Sequence, residues 1–226
     1  MSLLGIDART NTVEHRIHIP ADQPFTGRIN PFPLTVGAGS VWVVIQNKGS
    51  YQVFRVDART DRIVKAIPLP PTVVPTAVAF GMGRLWYVDS ISGTVRSIDP
   101  RTNRVAGPPI TFPGNPSNLA AGAGALWVID RGAGQLYEYP IGVGAGISTI
   151  AVGEDPVSLA VGEGAVWVVN HGDGTLSQVD PGSGEVEATI PLAHGHICPE
   201  DQVYICLGIF DVAAGGGAVW VAEAGD

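Results

Sequence analysis

The chain has little with which to do familiar chemistry or to cross a membrane. Only two of its 226 residues are cysteine, Cys198 and Cys206, and two cysteines do not fix a redox compartment. Lys and Arg nowhere form a cluster, and the formal net charge is −8 with a pI near 5.0. A nucleic-acid groove and an anionic membrane surface both need clustered cations, so neither is expected as a partner. Apolar runs are cut after a few residues by Gly, Asp or Pro, so no segment is expected to span a bilayer. Residues 1–7 show no basic stretch followed by an apolar one, so no signal peptide is expected in this numbering. There is no Gly-x-Ser-x-Gly elbow, no P-loop, no His-Glu-x-x-His and no dinucleotide fingerprint.

Glycine and proline are plentiful, at 30 and 18 residues, and they are spread along the chain as turn chemistry, not pooled in a linker. Five times a Gly-x-Gly is followed three residues later by Trp: Gly37 and Gly39 with Trp42, Gly81 and Gly83 with Trp86, Gly122 and Gly124 with Trp127, Gly162 and Gly164 with Trp167, Gly215 and Gly217 with Trp220. These are all the Trp residues, and their spacings of 44, 41, 40 and 53 match the period of a four-stranded propeller blade.

The copy from Pro156 to Leu192 sets out one blade. Val157 to Val161 reads as the inner strand, Ala165 to Val169 as a second strand buried on both faces, Thr175 to Val179 as the third and Glu185 to Pro191 as the outer edge. Asp7, Asp57, Asp99 and Asp180 each open the last hairpin and read as Asx-turn acceptors of backbone N–H groups. The Trp reads as a plug between neighbouring blades.

The chain starts and stops within a repeat. Reading residues 218–226 on into residues 1–7 reproduces the Trp-to-Asp spacing of Trp167 to Asp180, thirteen steps. The expectation is one all-β domain, a five-bladed β-propeller of four-stranded antiparallel blades. Blade 1 takes residues 209–226 plus 1–20 and is closed by both termini, blade 2 takes 31–70, blade 3 75–112, blade 4 116–152 and blade 5 156–192. An insert occupies 193–208. Closure leaves no open sheet edge. The alternative is a piece of a six- or seven-bladed protein.

The wording of residues 160–192, AVGEGAVWVVNHGDGTLSQVDPGSGEVEATIPL, and of residues 120–134, AAGAGALWVIDRGAG, resembles the YncE/YVTN-type and NHL-like bacterial β-propellers and, in style, the virginiamycin B lyases. The resemblance covers essentially the whole chain. It implies a propeller that serves as a binding module, a sensor ectodomain or a lyase. The lyases of the group carry Phe-Thr-Glu phrases with a His and Glu pair around magnesium, and those phrases are missing here.

In a repeat scaffold, chemistry is expected where the repeat is broken. The 193–208 insert lengthens one connection by roughly a dozen residues. Within it Cys198 and Cys206 are candidates for a disulfide, which would stabilise by about 2–3 kcal/mol and indicate an extracytoplasmic setting. His194, His196, Cys198 and Glu200, spaced by two, form an alternative zinc set, and free thiols are the third reading. A second departure lies three positions after each Trp, where Ile45 is followed by Asp89, Asp130, Asn170 and Glu223 in the later copies. Turns after the second strand and inter-blade connections share one face of a propeller, so these residues are expected at one rim. Oxygen donors in such a ring are what Mg²⁺ or Ca²⁺ requires, and the bland reading is that they end strands. A third departure is the lengthened turn from Ile45 to Tyr51.

The expected function is binding of a small molecule, glycan or protein at that rim, with Asp89, Asp130, Asn170, His171, Asp211, Glu223, Arg131 and Tyr51 as ligand-binding candidates. The alternative is a metal-assisted lyase or hydrolase, with His171, His194 or His196 as general base and Asp89, Asp130 or Glu223 near the cation.

Overall fold

A computed structural model describes residues 2–20, 33–47, 49–142, 146–192 and 208–224. They form twenty β-strands of an all-β propeller. Two compact units divide the chain, the first holding residues 1–92 and 96–108, the second 93–95 and 109–226.

In the first unit β1 (Ser2–Asp7) and β2 (Thr12–His18) form a two-stranded antiparallel sheet. β3 (Leu34–Gly37), β4 (Ser40–Asn47), β5 (Ser50–Asp57) and β6 (Arg62–Pro68) form a four-stranded sheet in chain order. β7 (Pro75–Gly81), β8 (Arg84–Asp89), β9 (Thr94–Asp99) and β10 (Arg104–Thr111) make another, with β9 beginning among residues counted with the second unit. The second unit contains the sheet β11 (Pro116–Gly122), β12 (Ala125–Asp130), β13 (Gln135–Pro140) and β14 (Ser148–Ala151). The sheet β15 (Pro156–Gly162), β16 (Ala165–Asn170), β17 (Thr175–Val179) and β18 (Val186–Pro191) follows. It ends with the pair β19 (Gly208–Gly215) and β20 (Ala218–Ala224).

The recurring phrase is explained by three contacts. Its last two turn residues take positive φ, 50° at Ala123 and 80° at Gly124, as a two-residue hairpin with native twist requires. The first Gly is small because the next blade's inner strand lies on it: a Cβ at Gly37 would collide with Phe80, and one at Gly122 would sit 2.8 Å from Val161 Cγ1. The carbonyl of that same Gly accepts the indole N–H, from Trp42 to Gly37 at 3.0 Å, Trp86 to Gly81 at 3.1 Å, Trp127 to Gly122 at 3.1 Å and Trp167 to Gly162 at 3.0 Å. Each indole is therefore buried without stranding its donor.

The cores lie between sheets. Trp42 packs with Val44, Val53, Leu85 and Tyr87, and its ring stacks on Phe80 at 6.2 Å. Trp127 packs with Ile129, Leu136, Leu159, Val166 and Val168. Every residue of β12 and β16 is buried, which is why both strands are rich in β-branched and aromatic side chains.

The four Asx turns form as expected. Asp7 Oδ1 accepts N–H bonds from Arg9 and Thr10, Asp57 Oδ1 from Arg59 and Thr60, Asp99 Oδ1 from Arg101, and Asp180 Oδ1 from Gly182 and Ser183. These donors hold all four carboxyls below their ordinary range, led by the Thr10 amide at Asp7, the Thr60 hydroxyl at Asp57, the Arg101 amide at Asp99 and the Ser183 amide at Asp180.

Of the strands assigned to the closing blade, β1 and β2 pair with each other in the first unit and β19 and β20 in the second. Trp220, expected to plug a blade interface, is 68% exposed.

Candidate functional site

Asp89 and Asp130 end their second strands, and each ties two segments of one rim together. Asp130 Oδ2 accepts the Asn115 N–H of the inter-blade connection at 2.9 Å, while Oδ1 accepts Gly132 and Ala133 N–H of the following turn at 3.0 and 3.1 Å. The Tyr137 hydroxyl adds a bond to Oδ2 at 3.3 Å, and burial lifts that phenol above its usual range. In the first unit Asp89 repeats the arrangement, accepting Val74 N–H, Ile91 N–H and the Ser92 hydroxyl. Both carboxylates are buried, at 2% and 4% exposure, and serve as staples.

In the next copy of the repeat Asn170 replaces the carboxylate and the duties are divided. Its Nδ2 donates to Thr175 Oγ1 at 3.0 Å and Ser177 Oγ at 2.9 Å, and the connection's Glu154 N–H turns to Asp173 Oδ2 at 3.0 Å. Asn170 Oδ1 is left buried without a partner. Gly153 lies directly on Asn170 and Asp173, with no space for a Cβ.

This segment borders a cavity of about 640 Å³ in the second unit, walled by the turn Arg131–Gly134, the connection Ala151–Asp155 and Gly172. Glycine stands at 132, 134, 153 and 172 of its wall; Gly132 leaves space that a side chain could take, while Gly153 and Gly172 lie too close to their neighbours for a Cβ. Arg131 reaches across to Asp155 as a two-bond fork, its Nη2 2.8 Å from Oδ2, which holds the guanidinium charged. His171 follows Asn170 but is buried, with its N–H bonded to the Asp155 carbonyl and its ring 5.2 Å from Phe210. Arg131, Asn170 and His171 thus come together with Asp130 at one rim of the second unit.

Other predicted residues stand apart from this cavity's walls. Asp211 accepts the Ser158 hydroxyl at 2.6 Å, and Glu223 is an exposed residue of β20 opposite Ile209. Tyr51 belongs to the first unit, where it packs on the Trp42 cluster. His194, His196, Cys198, Glu200 and Cys206 lie outside the described residues. Among the described residues no group of three or more His, Cys, Asp or Glu side chains is placed to hold a metal ion.

Sequence reasoning missed Asp155 and Asp173. Asp155 sits at φ 50° just before Pro156, and Asp173 stands in the Asp-Gly turn after β16. Their turn-forming character was visible, but their pairing with Arg131 and Glu154 spans 24 and 19 residues, which no local pattern encodes.

The fold defines the class as a β-propeller, and comparison with solved structures agrees. A catalytically inactive virginiamycin B lyase from Staphylococcus aureus, solved with quinupristin, superposes with a TM-score of 0.72 at 14% identity over 99% of this chain and 70% of that one. The WD40 repeats of RRP9 give 0.70 at 12% identity over 94% and 64%. A streptogramin B lyase gives 0.55 at 14% over 86% and 76%. No family model matches the sequence, and no curated protein matches it by sequence. At these identities the likeness is one of fold.

Proposed function

We propose that the protein is a binding propeller whose second unit takes a small molecule, a glycan or a segment of a protein in the glycine-walled cavity beside Arg131 and Asp155. The observation that carries the reading is the cavity itself, a space of about 640 Å³ in a glycine-rich wall with one forked ion pair at its rim. The YncE-like and NHL-like wording of the repeat and the WD40 neighbours support a bacterial interaction module, one suited to the sensing part of a larger system. An extracytoplasmic setting rests on pairing of Cys198 with Cys206.

Gly132 supplies the test. A Cβ there meets only Asp130 Oδ1 at 3.7 Å, so Gly132→Trp fills the cavity without strain. Neutral oligosaccharides, small organic acids and short peptides are screened by thermal shift against both proteins. Ligands that raise the melting temperature of the wild type and leave Gly132→Trp unmoved support the reading. Hits indifferent to the substitution, or no hit from any class, overturn it.

A metal-assisted lyase or hydrolase using Mg²⁺ or Ca²⁺ is the second reading, favoured by the partnerless oxygen of Asn170. It would require Asp130 to release its turn amides to a cation. Thermal shift with Mg²⁺, Ca²⁺ and Zn²⁺ tests it, and an unmoved transition with all three discards it.

A further inference from the structure

The first unit has a cavity of its own. About 480 Å³ in volume, it is lined by Met82, Gly83 and Arg84 at the β7–β8 turn and by Asp99 and Arg101 at the β9–β10 turn. That is within the size range of small-molecule sites. It shares no residue with the glycine-walled cavity of the second unit.

The repeat marks its two arginines as a departure. The residue after the Gly-x-Gly turn is Ser40, Ala125, Ala165 and Ala218 in the other copies, and Arg84 here. Two residues beyond the Asx-turn Asp stand Arg9, Arg59, Arg101 and Gly182. Of these copies, the β7–β10 sheet alone places a cation on both turns.

Both cations act on one carboxylate. The Arg101 amide holds Asp99 below its ordinary range, and the charges of Arg101 and Arg84 lower it further. A single carboxylate does not use up two guanidinium groups. Arg101 Nε stands 3.6 Å from Asp99 Oδ1 with the Arg101 side chain 89% exposed, and Arg84 gives one N–H, from Nη1, to the Ser97 hydroxyl at 3.4 Å. Each guanidinium carries five N–H donors, so the cavity keeps a net positive charge and unspent donors.

The backbone that carries them is fixed from beneath. Arg55 lies over the Trp42 ring at 4.9 Å and donates to the Pro100 carbonyl and, at 2.9 Å, to Asn103 Oδ1. The Asn103 N–H closes the same turn on the Asp99 carbonyl at 2.8 Å. Ser97, which holds Arg84, donates in turn to the Ala106 carbonyl at 2.8 Å. A wall set in advance reduces the ordering that binding has to impose.

Charge and shape define what such a pair recognises. A guanidinium offers two parallel N–H groups to two oxygens, and a phosphate group has oxygens enough for two such forks where a carboxylate fills one. The first unit carries twelve Lys and Arg against seven Asp and Glu, a balance that draws anions.

We propose that this cavity is a binding site separate from the one in the second unit, and that it takes the phosphate group of a small phosphomonoester between Arg84 and Arg101, with the rest of the molecule in the remaining space.

The experiment is an amide-resolved NMR titration of the 226-residue chain with inorganic phosphate and with phenyl phosphate, at constant ionic strength set by sodium chloride, with sodium acetate as the carboxylate control. Saturable shifts are expected at Met82, Gly83, Arg84, Asp99 and Arg101 with both phosphates, phenyl phosphate binding at least as tightly as the bare ion, and no saturation with acetate. Arg84→Gln and Arg101→Gln should each weaken phosphate by about tenfold or more. Arg9→Gln, at the matching turn of β1–β2, should bind as wild type does. Circular dichroism and thermal melting check that each variant folds. Gly132→Trp should also bind phosphate like wild type, so this result is independent of the outcome at the glycine-walled cavity. Shifts that do not saturate, saturation by acetate, phenyl phosphate binding more weakly than the bare ion, or folded Arg84→Gln and Arg101→Gln proteins that bind like wild type overturn the proposal.

Discussion

Trp127→Ala is the sharpest test of what the repeated phrase does. The ring is fully buried, surrounded by Ile129, Leu136, Leu159, Val166 and Val168, and its Nε1 donates to Gly122 O at 3.1 Å. A buried Trp removes roughly 150–250 Å² from water, about 4–6 kcal/mol at ~25 cal/mol per Å². Ala keeps part of that contact, and the large-to-small series places the net loss at about 3–5 kcal/mol. Trp127→Phe separates the components: it keeps most of the ring and strands the Gly122 carbonyl, for about 1–3 kcal/mol. Trp220→Ala is the internal control, because the same residue in the same phrase is 68% exposed, and its loss should stay within about 1 kcal/mol. Urea unfolding followed by far-ultraviolet circular dichroism measures all three. Equal losses at Trp127 and Trp220 would refute the reasoning, since they would detach the cost from burial.

Further outcomes follow from other contacts. Gly114→Ala puts a Cβ into Asp130 Oδ2 and 2.6 Å from the Tyr137 hydroxyl, so it should destabilise by about 1–3 kcal/mol, read by urea unfolding, and Gly132→Ala should not. Asp180 is held below the ordinary aspartate value of 3.8, so its contribution is complete above that pH and is lost as pH falls through the lower folded value. Asp180→Asn keeps the acceptor and cannot titrate, so its melting temperature should fall less steeply than wild type below about pH 4, by calorimetry. His15 bonds Asp61 Oδ2 at 2.8 Å through Nδ1, which raises it above 6.5. Its stabilisation is therefore full below that pH and fades as pH rises through the folded value, and the melting-temperature gap between wild type and Asp61→Asn should narrow as pH is raised above 6.5. Thiol titration of unfolded protein without reductant should find no free thiol if Cys198 and Cys206 are bridged, and two if they are not.

The blade was legible because its signals are local. Thr175 to Val179 is the third strand as read from the sequence, and the second gains only Asn170. Turn residues mark those limits whatever the tertiary setting, and the Asx role of Asp57 and Asp180 follows from residues two and three positions away. The rim was legible only in part. Asp130 is a candidate for the oxygens a ligand could use, while the fold engages both of them, Oδ2 with Asn115 and Oδ1 with Gly132 and Ala133. Arg131 is a binding candidate from the sequence, but Asp155 becomes its partner only once a connection 24 residues away is folded against it.

Amide-resolved NMR titration with a ligand taken from the thermal-shift screen tests the functional reading most directly. The account predicts shift changes gathered in Arg131–Gly134 and Ala151–Asp155, absent from Gly132→Trp. Changes centred instead on the 480 Å³ cavity of the first unit, lined by Met82, Gly83, Arg84, Asp99 and Arg101, would contradict it.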